Sequence, residues 1–396
     1  MESLPQRPLK SSDRNVRTFA PRFLLAVLPI LLGGIDANAD SWQSAASLNT
    51  PRSAHTATLL QSGQVLVAGG HGIGNNVVLD SAEIYDPLND TWQPTGSLAT
   101  ARFGATATFL PTGQVLVTGG TDATFQATAT AELFDPVSGT WSSAGSMASS
   151  RMGQTASYLG SGNLIVAGGA AGSAIYASAE LYTLNSNSWS PLPDMNDARA
   201  DHVAAVILSD VVFVAGGDDA SFAPTNTAEI YDPNVLAWKN VSSMATARVV
   251  PTLSELADGT LLVVGGADAT FNSIASAERY DPAADSWTSA NAMATARNSH
   301  TSTLLNSGQV LVAGGLGSNT TFASAELYDP ASNAWSAASS MQTARRLHTA
   351  TLLASGEVLV TGGYDGSNNP LGDTELYIPS VPDEIFADGF DGPGKG

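Results

Sequence analysis

Tryptophan recurs at positions 42, 92, 141, 189, 238, 287 and 335, and the chain has no other. Four further markers keep step with it. Gly-Gly pairs fall at 69–70, 119–120, 168–169, 216–217, 265–266, 314–315 and 362–363, spaced by 48 to 50 residues. Arg recurs at 52, 102, 151, 199, 248, 297 and 345, and Glu at 83, 132, 180, 229, 278, 326 and 375, with a Tyr or Phe two residues after each Glu. Five markers at constant offsets in seven copies confine the chain to a repeat architecture, in which each unit buries its faces against its neighbours.

Each unit reads as four short strands. After Arg52, "HTATLL" alternates in polarity and Ser62-Gly63 makes a tight turn. "QVLVAGG" is a continuous apolar run, as expected of a strand buried on both faces. A variable loop follows, then "AEIYD", an Asp-Pro turn and "TWQPTGSL". Four strands per unit of about 49 residues predict an all-β propeller with seven four-stranded blades. The repeat phase also predicts how the ring closes. The strand at Ser41 to Leu48 precedes the first full unit, and Arg345 to Ile378 supplies only three strands. Pairing the two completes the seventh blade and leaves no open edge.

The pattern R-x-x-H, hydrophobic strand, G-G, A-E-x-Y-D-P and T/S/A-W resembles the kelch repeat over residues 41 to 379. The galactose oxidase-like propellers share this seven-bladed form, and that resemblance implies a secreted scaffold whose copper site includes a Tyr crosslinked to Cys. This chain has no Cys, so that cofactor cannot form and no cofactor or metal is expected. The motifs G-x-S-x-G, H-E-x-x-H and Walker are absent as well. Three repeats depart from the pattern, at Thr183, at Ser209-Asp210-Val211 and at Val249-Val250-Pro251.

The first 39 residues read as an address. Arg7, Lys10, Arg14, Arg17 and Arg22 precede an apolar stretch from Phe23 to Ile35 and the small-x-small site Ala37-Asn38-Ala39. This order predicts a signal peptide at 1–39, with export to the periplasm, cell surface or medium. The stretch is too short for a membrane anchor. Cleavage would leave 11 basic and 33 acidic residues, a net charge of −22, which disfavours nucleic acid as a partner. No transmembrane span is expected after cleavage, and the product is expected to be a monomer. The tail, 380–396, is polar and Gly-rich, and its "IFADGFD" resembles short terminal motifs on exported proteins of some Gram-negative bacteria.

Residues present in every unit are expected to hold the blades together. The same holds for His55, His202, His300 and His348, each three residues after a repeat Arg. Recognition is expected where the repeats differ, in the loops between second and third strands. Those loops share a face with the starts of the first strands. They contain His71, Tyr364, the acids Asp122, Asp218, Asp219, Asp268 and Asp365, and the aromatics Phe125, Phe222 and Phe271, with Tyr176 and Phe322 in related places. Aromatic faces with carboxylates suit sugars, since rings cover C–H surfaces and carboxylates take hydroxyls. The same loops could dock a protein partner or pin one another, and the Asp residues could bind calcium, although no EF-type loop is present. The expected function is an exported, non-catalytic propeller binding a polysaccharide or protein outside the cytoplasm. The alternative is a sugar-acting enzyme at the channel mouth.

Overall fold

Alternating first strands, apolar second strands and glycine-rich turns build seven separate antiparallel sheets, each of four strands. The computed structural model describes residues 39–74 and 76–380. The predicted signal segment up to 38 and the tail from 381 lie outside the described residues. Blades 1 to 6 span 56–95, 106–146, 155–192, 203–241, 252–290 and 301–338 in chain order. Blade 7 combines Thr349–Leu352, Val358–Thr361 and Thr374–Ile378 with Ser41–Ala45 from the other end of the chain. Ser41 pairs with Ile378 and Ala45 with Thr374, as the repeat phase predicts. Among the described residues the only helical pieces are two 3₁₀ turns, Leu184–Ser186 and Leu208–Asp210. None is long and apolar enough to cross a membrane.

First strands line a central channel, and Trp strands form the outside. The second strands are buried on both faces, which explains their unbroken Val, Leu and Ala runs. The apolar core lies in slabs between neighbouring blades. One slab joins Leu159, Ile165 and Met195 of the third repeat to Val212, Val214 and Tyr231 of blade 4. Another joins Leu353 and Leu359 of the last repeat to Val65, Val67 and Tyr85 of blade 1, across the closure.

Polar links run from blade to blade on top of this core. The N–H of each second repeat glycine donates to the carbonyl of the next repeat's Arg, from Gly70 to Arg102 at 2.8 Å round to Gly363 and Arg52 at 2.9 Å. A β-carbon on Gly69 would lie 2.3 Å from that Arg102 oxygen, so the approach requires glycine there. The seven Arg–Glu pairs form within repeats, at 2.7 to 2.9 Å, with every Arg side chain 0 or 1% exposed. The guanidinium also donates to carbonyls of its own repeat, such as Gly69 and Ser81, so each buried charge is paired and further hydrogen-bonded through its terminal nitrogens, while Nε of Arg151, Arg199, Arg248, Arg297 and Arg345 has no partner. Each Trp indole donates to a carbonyl at or just beyond the end of the preceding blade's Trp strand, as Trp92 does to Ala46 at 2.9 Å, Trp42 to Ser339 at 2.7 Å and Trp189 to Ala144 at 2.8 Å.

The repeat-four departure has a clear role. Ser209 and Asp210 take left-handed φ angles of 64° and 62°, and the Asp210 carboxylate accepts the N–H groups of Gly160 and Ser161 in blade 3. A side-chain bridge therefore replaces the usual glycine turn.

Candidate functional site

The residue after each Gly-Gly pair forms an antiparallel bridge with the residue after its repeat's Arg. The pairs are Ser53–His71, Phe103–Thr121, Met152–Ala170, Ala200–Asp218, Val249–Ala267, Asn298–Leu316 and Arg346–Tyr364. Both loop sets therefore meet on one face and ring the channel mouth. The framework beneath is sevenfold, but this ring is not. Blades 7, 1 and 2 bring Tyr364, His71 and Phe103; blade 4 brings acids; blades 3, 5 and 6 bring mostly apolar residues.

The His71 ring meets Phe103 edge-on with centroids 4.5 Å apart, and lies 5.7 Å from Phe125 and 6.3 Å from Tyr364. Partial burial lowers its pKa, favouring a neutral imidazole. The Arg346 guanidinium lies 5.3 Å from the Tyr364 ring centre and donates to Asn368. Four rings thus form one continuous sector of wall with a cation at its edge.

Blade 4 brings together Asp218 and Asp201. Asp201 follows Ala200, the bridge partner of Asp218, and has a φ of 53°. Its backbone is locked into the mouth: its N–H donates to Gly153 O at 2.7 Å, and its carbonyl accepts from Val250 N–H at 3.1 Å. Asp201 is exposed at the mouth, yet the protein mass around its carboxylate partly desolvates it, and this raises its pKa. Asp218 is raised too, first by burial and then by the charges of Asp201 and Asp219. One oxygen of Asp218 is buried with no hydrogen-bond partner. A β-carbon on Gly153 would lie 2.7 Å from Asp201 Oδ1, so the adjacent blade makes room for this carboxylate.

The other four candidate acids, Asp122, Asp219, Asp268 and Asp365, are turned onto their own loops. Asp122 Oδ1 accepts the N–H groups of Thr124 and Gln126 and the Thr124 hydroxyl. Asp219 does the same with Ser221 and Ala223, and Asp268 with Thr270 and Asn272. The side-chain bonds lead in lowering these three pKa values. Asp365 accepts from Ser367 and Asn369 in a matching turn. These carboxylates shape their loops. Phe125, Phe222 and Phe271 project from three of the turns. Tyr176 and Phe322, grouped with them in the sequence reading, instead lie over the buried Arg151 and Arg297 at 5.6 and 5.3 Å.

Along the channel wall lies a cavity of about 370 Å³ beside Thr155, Ala204, Thr252, Leu253, Ser302 and Ala350. His202 and His300 are its only ionisable lining residues, and both are tied to threonines. Sequence reasoning missed Phe103, Asp201 and Arg346. The available signal was that one or two positions after the repeat Arg the residue type varies, where everything around it is constant.

The repeats, the blades and their order place the chain among the kelch-repeat β-propeller proteins, and it belongs to that family. It matches the Attractin/LZTR1 beta-propeller over residues 172–375 and the KLHDC2/KLHL20/DRC7 Kelch-repeats domain over residues 54–257. No curated protein matches the sequence. The fold is similar to a solved structure described as a novel fungal alcohol oxidase with catalytic diversity among the AA5 family, in complex with copper. That likeness covers 90% of this chain and 79% of the other, with a TM-score of 0.72 and 17% identity, and it shows the shared fold alone.

Proposed function

We propose that this is an exported kelch propeller that binds carbohydrate at its channel mouth without transforming it. The observation that carries this is the aromatic sector of His71, Phe103, Phe125 and Tyr364 on a face that also holds Asp201 and Asp218. Rings cover the C–H faces of a pyranose, while Arg346 and the two carboxylates offer donors and acceptors to its hydroxyls. A net charge of −20 disfavours anionic polymers. The export half rests on the residues before Asp40.

Copper chemistry like that named for the fungal relative does not fit the residues. The chain has no Cys, and among the described residues no group of three His, Cys, Asp or Glu is placed to hold a metal ion. One observation does favour an enzyme as a second reading. Two neighbouring carboxyls with raised pKa values are what general acid–base work requires.

Calorimetry against a panel of neutral mono- and oligosaccharides tests the main reading. Binding that weakens at least ~10-fold in His71→Ala and Tyr364→Ala, with unchanged thermal stability, supports it. A panel with no binder sinks it. Turnover lost in Asp218→Asn while binding persists would move the assignment to the second reading.

A further inference from the structure

We propose that the ligand is a neutral polysaccharide long enough to reach from the mouth across blades 2 to 5, with Phe125, Phe222 and Phe271 as three stacking platforms. This rests on the carbohydrate reading above and extends it from a mouth site to a polymer track.

The three phenylalanines end D-A-T-F, D-A-S-F and D-A-T-F turns in blades 2, 4 and 5. Their φ angles are 61°, 60° and 58°, a left-handed conformation that a β-carbon disfavours and that is rare for a bulky side chain. The turn does not need phenylalanine. Blade 7 builds the same Asp-capped loop as D-G-S-N, with Asn368 at φ 65°, a residue that tolerates this region. Burial does little to repay the strain at Phe222 and Phe271, residues 46% and 60% exposed, and Phe125 is 40% exposed even where it meets His71 and Phe103. Strained, exposed aromatics in three related loops point to use outside the fold.

Their setting selects the partner. Among the described residues no other ring packs on Phe222 or Phe271, whose sequence neighbours include Ser221 and, for Phe271, Thr270 and Asn272; Phe125 stands at the edge of the mouth sector. A protein interface would want a contiguous apolar centre. Separated rings in polar surroundings suit a repeating polymer that offers a C–H face, then hydroxyls, then another face. Phe125 also touches the mouth sector through His71 and Phe103, with centroids 5.7 and 6.1 Å away, so the track runs on from it. The carboxylates of Asp201 and Asp218 disfavour an anionic chain. The turns are rigid: the Phe N–H donates to the Asp carbonyl at 2.8 to 2.9 Å in all three.

The test compares the full chain with Phe222→Asn/Phe271→Asn and with His71→Ala. The ligands are cellulose, chitin, xylan and galactomannan, with matching oligosaccharides of two to eight sugars. Affinity is expected to rise with chain length. The double Asn variant is expected to lose roughly tenfold or more on polymer, keep its binding of short oligosaccharides, and melt no lower than the parent. A lower melting temperature would assign these rings to loop packing and overturn the proposal. So would length-independent binding that the double variant retains and His71→Ala loses, an outcome that leaves the mouth reading standing. Absence of binding to any saccharide of any length defeats both.

Discussion

His202 Nε2 lies 2.9 Å from Thr155 Oγ1, so a histidine of the fourth repeat is latched to the channel strand of blade 3. His55, His300 and His348 make the same bond to Thr349, Thr252 and Thr301 of the preceding blades. Gln154 reaches Thr118 O from this position in the third repeat. These histidines join blades, and burial followed by the adjacent Arg charge lowers their pKa values, to about 3 for His55 and His300.

Acid should therefore loosen the ring. The folded pKa lies below the ordinary 6.5, so the unfolded chain takes up protons first. The histidine contribution is fully present above about pH 6.5 and is lost as pH falls towards 3, at up to about 1.4 kcal/mol per pH unit for each one. Urea unfolding between pH 7 and pH 5 should show this slope. His202→Gln, which borrows the residue of the third repeat, should flatten it by one histidine's share. An unchanged slope would place the acid sensitivity elsewhere.

Arg248 and Glu278 form a buried pair at 2.7 Å, and the same carboxylate accepts the N–H groups of Ala245 and Thr246. Burial lowers the Arg248 pKa, against the pull of Glu278. Glu278→Gln leaves that cation without its countercharge, and a loss of about 3–5 kcal/mol is expected. The exposed Arg279–Asp258 pair in the same blade is the control, and Asp258→Asn should cost less than about 1 kcal/mol. Denaturant midpoints for the two variants check the contrast.

Asp40 closes the circle. Its carboxylate accepts the Tyr377 hydroxyl at 2.8 Å and the Ser339 N–H, across more than 290 residues of chain. It stands two residues before Trp42, where Asp90 and Asp285 take the same bonds from Tyr85 and Tyr280. Asp40→Ala should cost about 1–3 kcal/mol, like Asp285→Ala. Removing 39–45 exposes the edge of the third strand of blade 7, and the single unfolding transition should then broaden or split.

The blades, their number and their closure were legible because they rest on residues repeated seven times, and a repeated residue reports repeated geometry. The face on which the variable loops gather was legible too, since strand order alone decides which loops share a side. The carboxylates were harder. Asp122, Asp219 and Asp268 look like free acids in the sequence, yet each is spent on its own turn. Asp201 looks like framework, because it sits inside the R-x-x-H motif, and only its left-handed backbone turns it to the mouth. Tyr176 and Phe322 look like rim aromatics, but a slightly different loop length carries each over its Arg. In each case local loop geometry, which composition does not encode, decides where the side chain goes.

Asp201 and Asp218 make the last prediction. A carboxyl whose folded pKa is raised holds its proton longer in the folded state than in the unfolded chain. Stability is then lost as pH rises from about 4 through the raised value, and at neutral pH the charged pair works against folding. Asp201→Asn should raise the melting temperature at pH 7 and have little effect at pH 3, where both forms are neutral. It should also bring the Asp218 pKa down, because the neighbouring charge is gone, and carboxyl NMR titration reads that shift directly. A melting temperature at pH 7 that falls would mean that Asp201 supports the fold. A rise accompanied by weaker saccharide binding would show a pair kept for its ligand at the expense of stability.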